Sequence, residues 1–209
     1  MRIAVINETS AADRNRDITA ALEGRGHELV NAGMKKSGEP PELTYINTGF
    51  MSALLLNAGR ADLVVGGCGT GQGYLNAVMQ YPGVVCGHIL TPLDAWLFPQ
   101  INGGNCIALM LNQAYGWGSD VNLKLLFDAL FSAEQGAGYP PSRKESQCQS
   151  RARLADLSKL SHRPMAEIIG RIEEQIIRPA LDYPGFWELL DVETLADREL
   201  AQTLKQRRR

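Results

Sequence analysis

One cysteine and one threonine sit among five glycines in ADLVVGGCGTGQG, Ala61 to Gly73. A short apolar run (Leu63, Val64, Val65) leads into them, as a buried parallel strand delivers a loop to the carboxyl edge of its sheet. Ligands bind at that edge in open α/β sheets. Glycines let the backbone approach a small anion and free N–H groups to face it. Cys68 is the one strongly nucleophilic or basic side chain in the loop. Placed before a helix N-terminus, its thiolate form is expected to be favoured. Such a thiolate can abstract a carbon-bound proton, with Thr70 and the loop amides stabilising the enediolate oxygen that develops. The competing explanation is a buried structural cysteine in a tight turn, since apolar surroundings would raise its pKa.

The elements that must hold this loop follow from the pattern around it. RIAVIN reads as strand one, a helix follows from about Asp13 to Glu23, and HELVNAG opens strand two. A helix from Tyr45 to Asn57 precedes strand three, Ala61 to Gly67. A helix from about Gly73 to Gln80, strand VVCGH, a helix from Pro92 to Phe98, strand CIALML and a helix from Val121 to Ser132 complete the unit. This alternation predicts a three-layer α/β/α Rossmann-like fold with a five-stranded parallel sheet, spanning 1–140. After GAGYPP only helical patterns remain: Arg143 to Leu160, Pro164 to Ile177, and Gly185 to about Gln206. This C-terminal extension, 141–209, cannot form a core alone. It is expected to pack on the domain or on a partner subunit, with Tyr183, Phe186 and Trp187 as anchors.

Composition narrows the function. A chain of 209 residues, 44% hydrophobic, buries one good core. A net charge of −2 argues against nucleic-acid and membrane-surface partners, and no apolar run reaches the roughly 20 residues of a membrane span. MRIAVINETS lacks a signal-peptide core and reads as a strand, so a cytoplasmic enzyme is expected. Residues 1–139 hold 8 Lys/Arg against 12 Asp/Glu, whereas 140–209 hold 13 against 11. Cations for an anionic substrate therefore come more naturally from the extension, although the terminal Arg-Arg-Arg reads as a solvated end. Cys86, Cys106 and Cys148 read as structural, and the histidines His27, His88 and His162 show no zinc-ligand spacing with the cysteines. No metal and no organic cofactor is expected. A dinucleotide site is disfavoured, because the glycine loop follows the third strand and no acidic residue closes the next one.

The ordered motifs resemble type B ribose-5-phosphate isomerases and the related galactose-6-phosphate isomerase subunits. Their Cys-Gly-Thr-Gly-x-Gly loop is matched by Cys68, Gly69, Thr70, Gly71, Gln72 and Gly73. The family's tyrosine before the second helix is matched by Tyr45, a glycine turn by Gly83, a proline after strand four by Pro92, and an Asn-x-x-Asn element by Asn102 and Asn105. Of the cationic pair after the last helix, Arg143 is matched. The resemblance covers Arg2 to about Gln147 and implies a sugar-phosphate aldose–ketose isomerase of carbohydrate metabolism, working as a homodimer whose sites draw on both subunits. It implies Cys68 as the base, Thr70, Gly69, Gly71 and Gly73 around the enediolate, Asn102 on the substrate and Arg143 on the phosphate. Glu8 and Thr9 occupy the family's Asp-His after strand one, and Ile101 occupies the position of its ring-opening histidine. The family's Asn-Lys falls at Met79-Gln80 and its second arginine at Gln147, where Arg151 or Arg153, on a shifted helix, is a candidate substitute. His88, on the same sheet edge as Cys68, is a candidate acid/base. A retained base without a ring-opening group suits a substrate that is already open, such as a four-carbon sugar phosphate. The alternative is a non-catalytic sugar-phosphate-binding or regulatory protein on the isomerase scaffold. The extension is expected to lack a counterpart in the family.

Overall fold

A computed structural model describes residues 1–208. Five strands form one sheet: β1 (Arg2–Asn7), β2 (Glu28–Asn31), β3 (Leu63–Cys68), β4 (Cys86–Ile89) and β5 (Cys106–Met110). Their order is β2-β1-β3-β5-β4 and every pairing is parallel. Parallel strands need crossover connections, and the helices supply them. Alternation along β1 divides the core in two. Ile3 and Val5 face α1 (Asn15–Leu22), whereas Ala4 and Ile6 face α2 (Tyr45–Asn57) and α3 (Gln72–Val78). On the Ile3 side the layer is completed by α4 (Pro92–Ile101) and α5 (Ser119–Ser132). The expected three-layer fold and its five-stranded parallel sheet are therefore present.

Local signals set the helix boundaries. Thr44 caps α2 and Thr91 caps α4, each in a reciprocal capping box, and Pro92 takes the first position of α4, where its missing N–H costs nothing. The first helix departs from expectation: a 3-10 turn, Thr9–Arg14, occupies its start and α1 begins at Asn15. Glu8 brings this about by accepting the Ser10 backbone N–H, which tightens the chain directly after β1.

The extension is helical, in more pieces than the pattern suggests. It comprises α6 (Lys144–Ser161), α7 (Met165–Arg171), α8 (Glu174–Leu181), α9 (Phe186–Leu190) and α10 (Arg198–Arg208). The expected helix from Pro164 to Ile177 breaks at Ile172, whose backbone is extended and whose carbonyl accepts from Arg207 Nη2 at 2.6 Å. The expected helix from Gly185 breaks at Asp191, where φ is +41°. There Arg60 donates to the carbonyls of Leu190 (2.9 Å) and Asp191 (2.8 Å), acceptors that a continuing helix would have used itself. Met165, Ile169, Ile177, Phe186, Leu190 and Leu204 share one core with Ala4, Phe50 and Leu54, so α7 to α10 cover the α2 face of their own chain. Helix α6 buries no residue. No helix among the described residues is long and apolar enough to cross a membrane.

Candidate active site

Strand order reverses direction at β1, so the carboxyl ends of β1 and β3 flank the crevice where ligands bind in such sheets. Glu8 leaves β1 and Cys68 ends β3, with Asn7 and Gly67 paired just before them. Three loops close over Cys68. The Asn112 side chain, beyond β5, donates to the Ser10 carbonyl at 2.6 Å. The Asn112 and Gln113 backbone N–H groups both donate to the Gly69 carbonyl, at 3.0 and 2.9 Å. Cys68 lies beneath these loops, 6% exposed, and its carbonyl accepts from Gly71 and Leu111. Neither Ser10 nor Asn112 was singled out from the sequence. Their only advance signal was position, since each lies just beyond the carboxyl end of a strand.

The rest of the loop is held by its neighbours. Gly71 has φ +76°, and a Cβ there would stand 2.6 Å from His88 Nε2, so the position needs glycine for both backbone and space. His88 Nε2 lies 3.1 Å from the Thr70 carbonyl. A carbonyl only accepts, so this contact puts the proton on Nε2 and makes His88 a brace for the loop. The Thr70 hydroxyl accepts from the Gln72 N–H at 3.3 Å. Tyr45, 43% exposed, lays its ring over Gly73, about where a Cβ would meet it at 3.3 Å. Thr9 ties the β1 end to the same corner through its N–H to the Leu43 carbonyl, 2.9 Å.

Glu8 is 3% exposed and accepts from both the backbone and hydroxyl of Ser10. Beneath it Asn7, Asn15 and Asn31 pair with one another at 2.7 to 3.0 Å and brace the ends of β1 and β2. The nearby buried groups off the crevice stay neutral. Burial pushes the Tyr74 phenol up, and its hydroxyl sits 2.7 Å from Ser52 Oγ. The Cys86 thiol is pushed up by its hydrogen bond with Cys106 and by burial.

Glu8, Thr9, Tyr45, Cys68, Gly69, Thr70, Gly71, Gly73 and His88 thus gather at the carboxyl edge. Asn102 and Arg143 do not. Asn102 caps the C-terminus of α4 ahead of β5, at the amino edge, and Arg143 lies exposed in a 3-10 turn, Pro141–Arg143. The five residues of β5 separate the two groups by about 15 Å. Within one chain they lie at opposite edges of the sheet.

A cysteine beneath three loops at the switch point of a 2-1-3-5-4 parallel sheet places the chain among Rossmann-like proteins with a candidate site at the carboxyl edge, and comparison with known proteins gives the class, the sugar isomerases. The family model for Ribose/Galactose Isomerase matches residues 3–125, and the chain belongs to that family. Two similar solved structures are 35% identical to it and cover 99% of this chain and 99% of their own. One is described as ribose-5-phosphate isomerase LacAB_rpiB from Vibrio parahaemolyticus, with a TM-score of 0.93. The other is described as 4-deoxy-L-threo-5-hexosulose-uronate ketol-isomerase complexed with a tartrate, with a TM-score of 0.92. A type B ribose 5-phosphate isomerase from Trypanosoma cruzi, 16% identical with a TM-score of 0.66, shares the fold over 78% of this chain and 100% of its own. Comparison with curated proteins gave no match. The extension was expected to be without counterpart; the two full-length matches correct this, since they span it. The chain is a sugar isomerase, and its relatives are enzymes rather than binding proteins.

Proposed function

We propose that the chain interconverts an aldose and a ketose on an open-chain, anionic sugar derivative, with Cys68 as the base. The carrying observation is Cys68 beneath the Ser10, Gly69 and Asn112 loops at the switch point. The thiolate takes the proton from C2, the electron pair moves onto the C1 carbonyl oxygen, and the enediolate forms. Thr70 and the amides of Gly69, Gly71 and Gly73 stabilise that oxygen. The proton returns to C1 while the O2 proton passes to O1, leaving the ketose. Glu8, Thr9 and Tyr45 stand at the same sheet edge to contact the substrate, and His88 keeps Thr70 in place. No cofactor or metal takes part.

The second half-site comes from a second copy of the chain, which presents Asn102 and Arg143 to the Cys68 edge. Helix α6 supports this. Leu154, Leu157 and Leu160 form an exposed stripe along it, and Leu93, Val121 and Leu125 add exposed apolar surface on α4 and α5. Such surface is the mark of an interface. The reading places a soluble homodimer in the cytoplasm, on the substrates of carbohydrate metabolism. Ribose 5-phosphate, as in a pentose phosphate route, and four-carbon or galactose phosphates are the phosphorylated candidates. The hexosulose-uronate of the full-length relative is the unphosphorylated one. Ile101, which moves no proton, favours those that need no ring opening.

Solvent-deuterium exchange tests the chemistry. Wild-type protein should wash deuterium into C1 or C2 of one of these substrates. Cys68→Ala should lower the exchange rate by about 10²- to 10⁴-fold, the range for loss of a positioned acid–base group. Exchange unchanged in Cys68→Ala would overturn the reading.

A further inference from the structure

We infer that Arg151 is the residue that reads the substrate's anion, and that this anion is the carboxylate of an open-chain sugar acid in preference to a phosphate. The inference rests on the isomerase reading above, in which the amino-edge half-site meets Cys68 of a second copy. Arg151 stands apart on α6. The helix buries nothing, yet this side chain is drawn in, its Nη1 donating to the Ile101 carbonyl at 3.0 Å. Two glycines make its seat. A Cβ on Gly103 would stand 3.0 Å from Arg151 Cδ, and one on Gly136 would stand 3.0 Å from Nη2. Among the described residues Arg151 has no carboxylate partner. A guanidinium carries five N–H donors, so most of the fork stays available beside the exposed Asn102.

The other positions around the anion are neutral or loose. Gln147, one turn before Arg151, has its amide satisfied on both sides by Tyr139, accepting from the N–H at 3.0 Å and donating to the carbonyl at 2.7 Å. It offers the substrate no charge, and one of its two amide N–H donors is already used. Thr9 is uncharged, and Arg143 is exposed on its turn with no side-chain bond to hold it. At this edge one anchored guanidinium is therefore what the chain provides, the Arg14 guanidinium at the Cys68 edge being engaged by the Leu111 carbonyl at 3.2 Å and by the Tyr115 ring. A phosphate monoester carries a charge of about −1.5 to −2 with three acceptor oxygens, and clusters of cations recognise it. A carboxylate carries one charge on two coplanar oxygens and fits a single guanidinium fork in bidentate fashion. The half-site matches the second.

Calorimetry on the full-length protein with tartrate, an acyclic dicarboxylate, and with inorganic phosphate tests this. Tartrate should bind about tenfold or more tighter than phosphate. Arg151→Gln should remove that preference, and Arg153→Gln, at an exposed position two residues on, should keep it. Kinetics with 4-deoxy-L-threo-5-hexosulose-uronate give the second readout. Arg151→Gln should raise KM about tenfold or more with kcat little changed, and Arg151→Lys, which keeps charge but not the fork, should recover only part. Phosphate binding as tightly as tartrate, or an Arg151→Gln variant with wild-type KM, would overturn the inference. If Cys68→Ala abolishes exchange while Arg151→Gln has no effect, only this inference fails. If Cys68→Ala keeps exchange, the isomerase reading fails with it.

Discussion

Gly71 shows how closely a single residue is specified in the loop. Its positive φ and the His88 ring beside it leave no place for a side chain. Gly71→Ala should cost about 1–3 kcal/mol of stability from backbone strain, more as the ring is displaced. The loss should appear as a lower thermal midpoint together with near-complete loss of exchange, because Thr70 shares the His88 brace. A variant with wild-type midpoint and activity would show that the loop adapts. Cys68 and its glycines were legible as a candidate reaction site from residue type and spacing alone. Ser10 and Asn112 were not, because a serine and an asparagine acquire meaning only when separate strand ends meet.

At the scale of elements, α2 links the crevice to the extension. Asn47, in its first turn, accepts from the Thr44 N–H at 2.9 Å and donates to the carbonyls of Gln175 and Ile176 at 3.3 and 3.1 Å. It is buried, and Tyr45 lies two residues before it. Asn47→Asp keeps the shape but removes both donors and sets a carboxylate against two carbonyls. We expect a loss of about 2 kcal/mol or more in urea unfolding, accompanied by a higher KM as Tyr45 loosens over Gly73. Unchanged stability would mean that α8 docks without this bond. Helix existence was legible here from apolar periodicity and caps. The breaks at Ile172 and Asp191 were not, since the groups that take the helical carbonyls, Arg207 and Arg60, come from elsewhere in the chain.

At the scale of the whole molecule, the proposed reading makes activity a property of two subunits, each supplying one sheet edge to a shared site. With substrate held well below KM, where Arg151→Gln sites turn over poorly, mixed and reannealed Cys68→Ala and Arg151→Gln subunits should regain about one quarter of wild-type activity, since half of such pairs are hybrids with one intact site of two. Absence of any recovery would show that both half-sites belong to one chain or that subunits do not exchange. Tyrosine burial sets the alkaline limit. Burial pushes Tyr81 up to about 12 from 10.0, and Tyr74 is raised by burial too. Their contribution to stability is complete below pH 10. Above it the unfolded chain gives up phenolic protons that the folded chain keeps, so stability falls as pH rises from 10 to 12. Urea midpoints should drop across that window, and Tyr81→Phe should flatten part of the decline.

The sequence by itself determined the parallel α/β layering, the cysteine–glycine loop after β3 and the uncharged side chains at Thr9, Ile101 and Gln147. Those are local facts, carried by side-chain type, periodicity and glycine spacing. Only the tertiary structure decided that the three loops close over Cys68 and that Asn102 and Arg143 stand about 15 Å away on the opposite edge. It also showed that Arg151 is the cation held in place. Distance through a sheet and a guanidinium's seat between two glycines depend on contacts between residues far apart in the chain, and no short pattern encodes them.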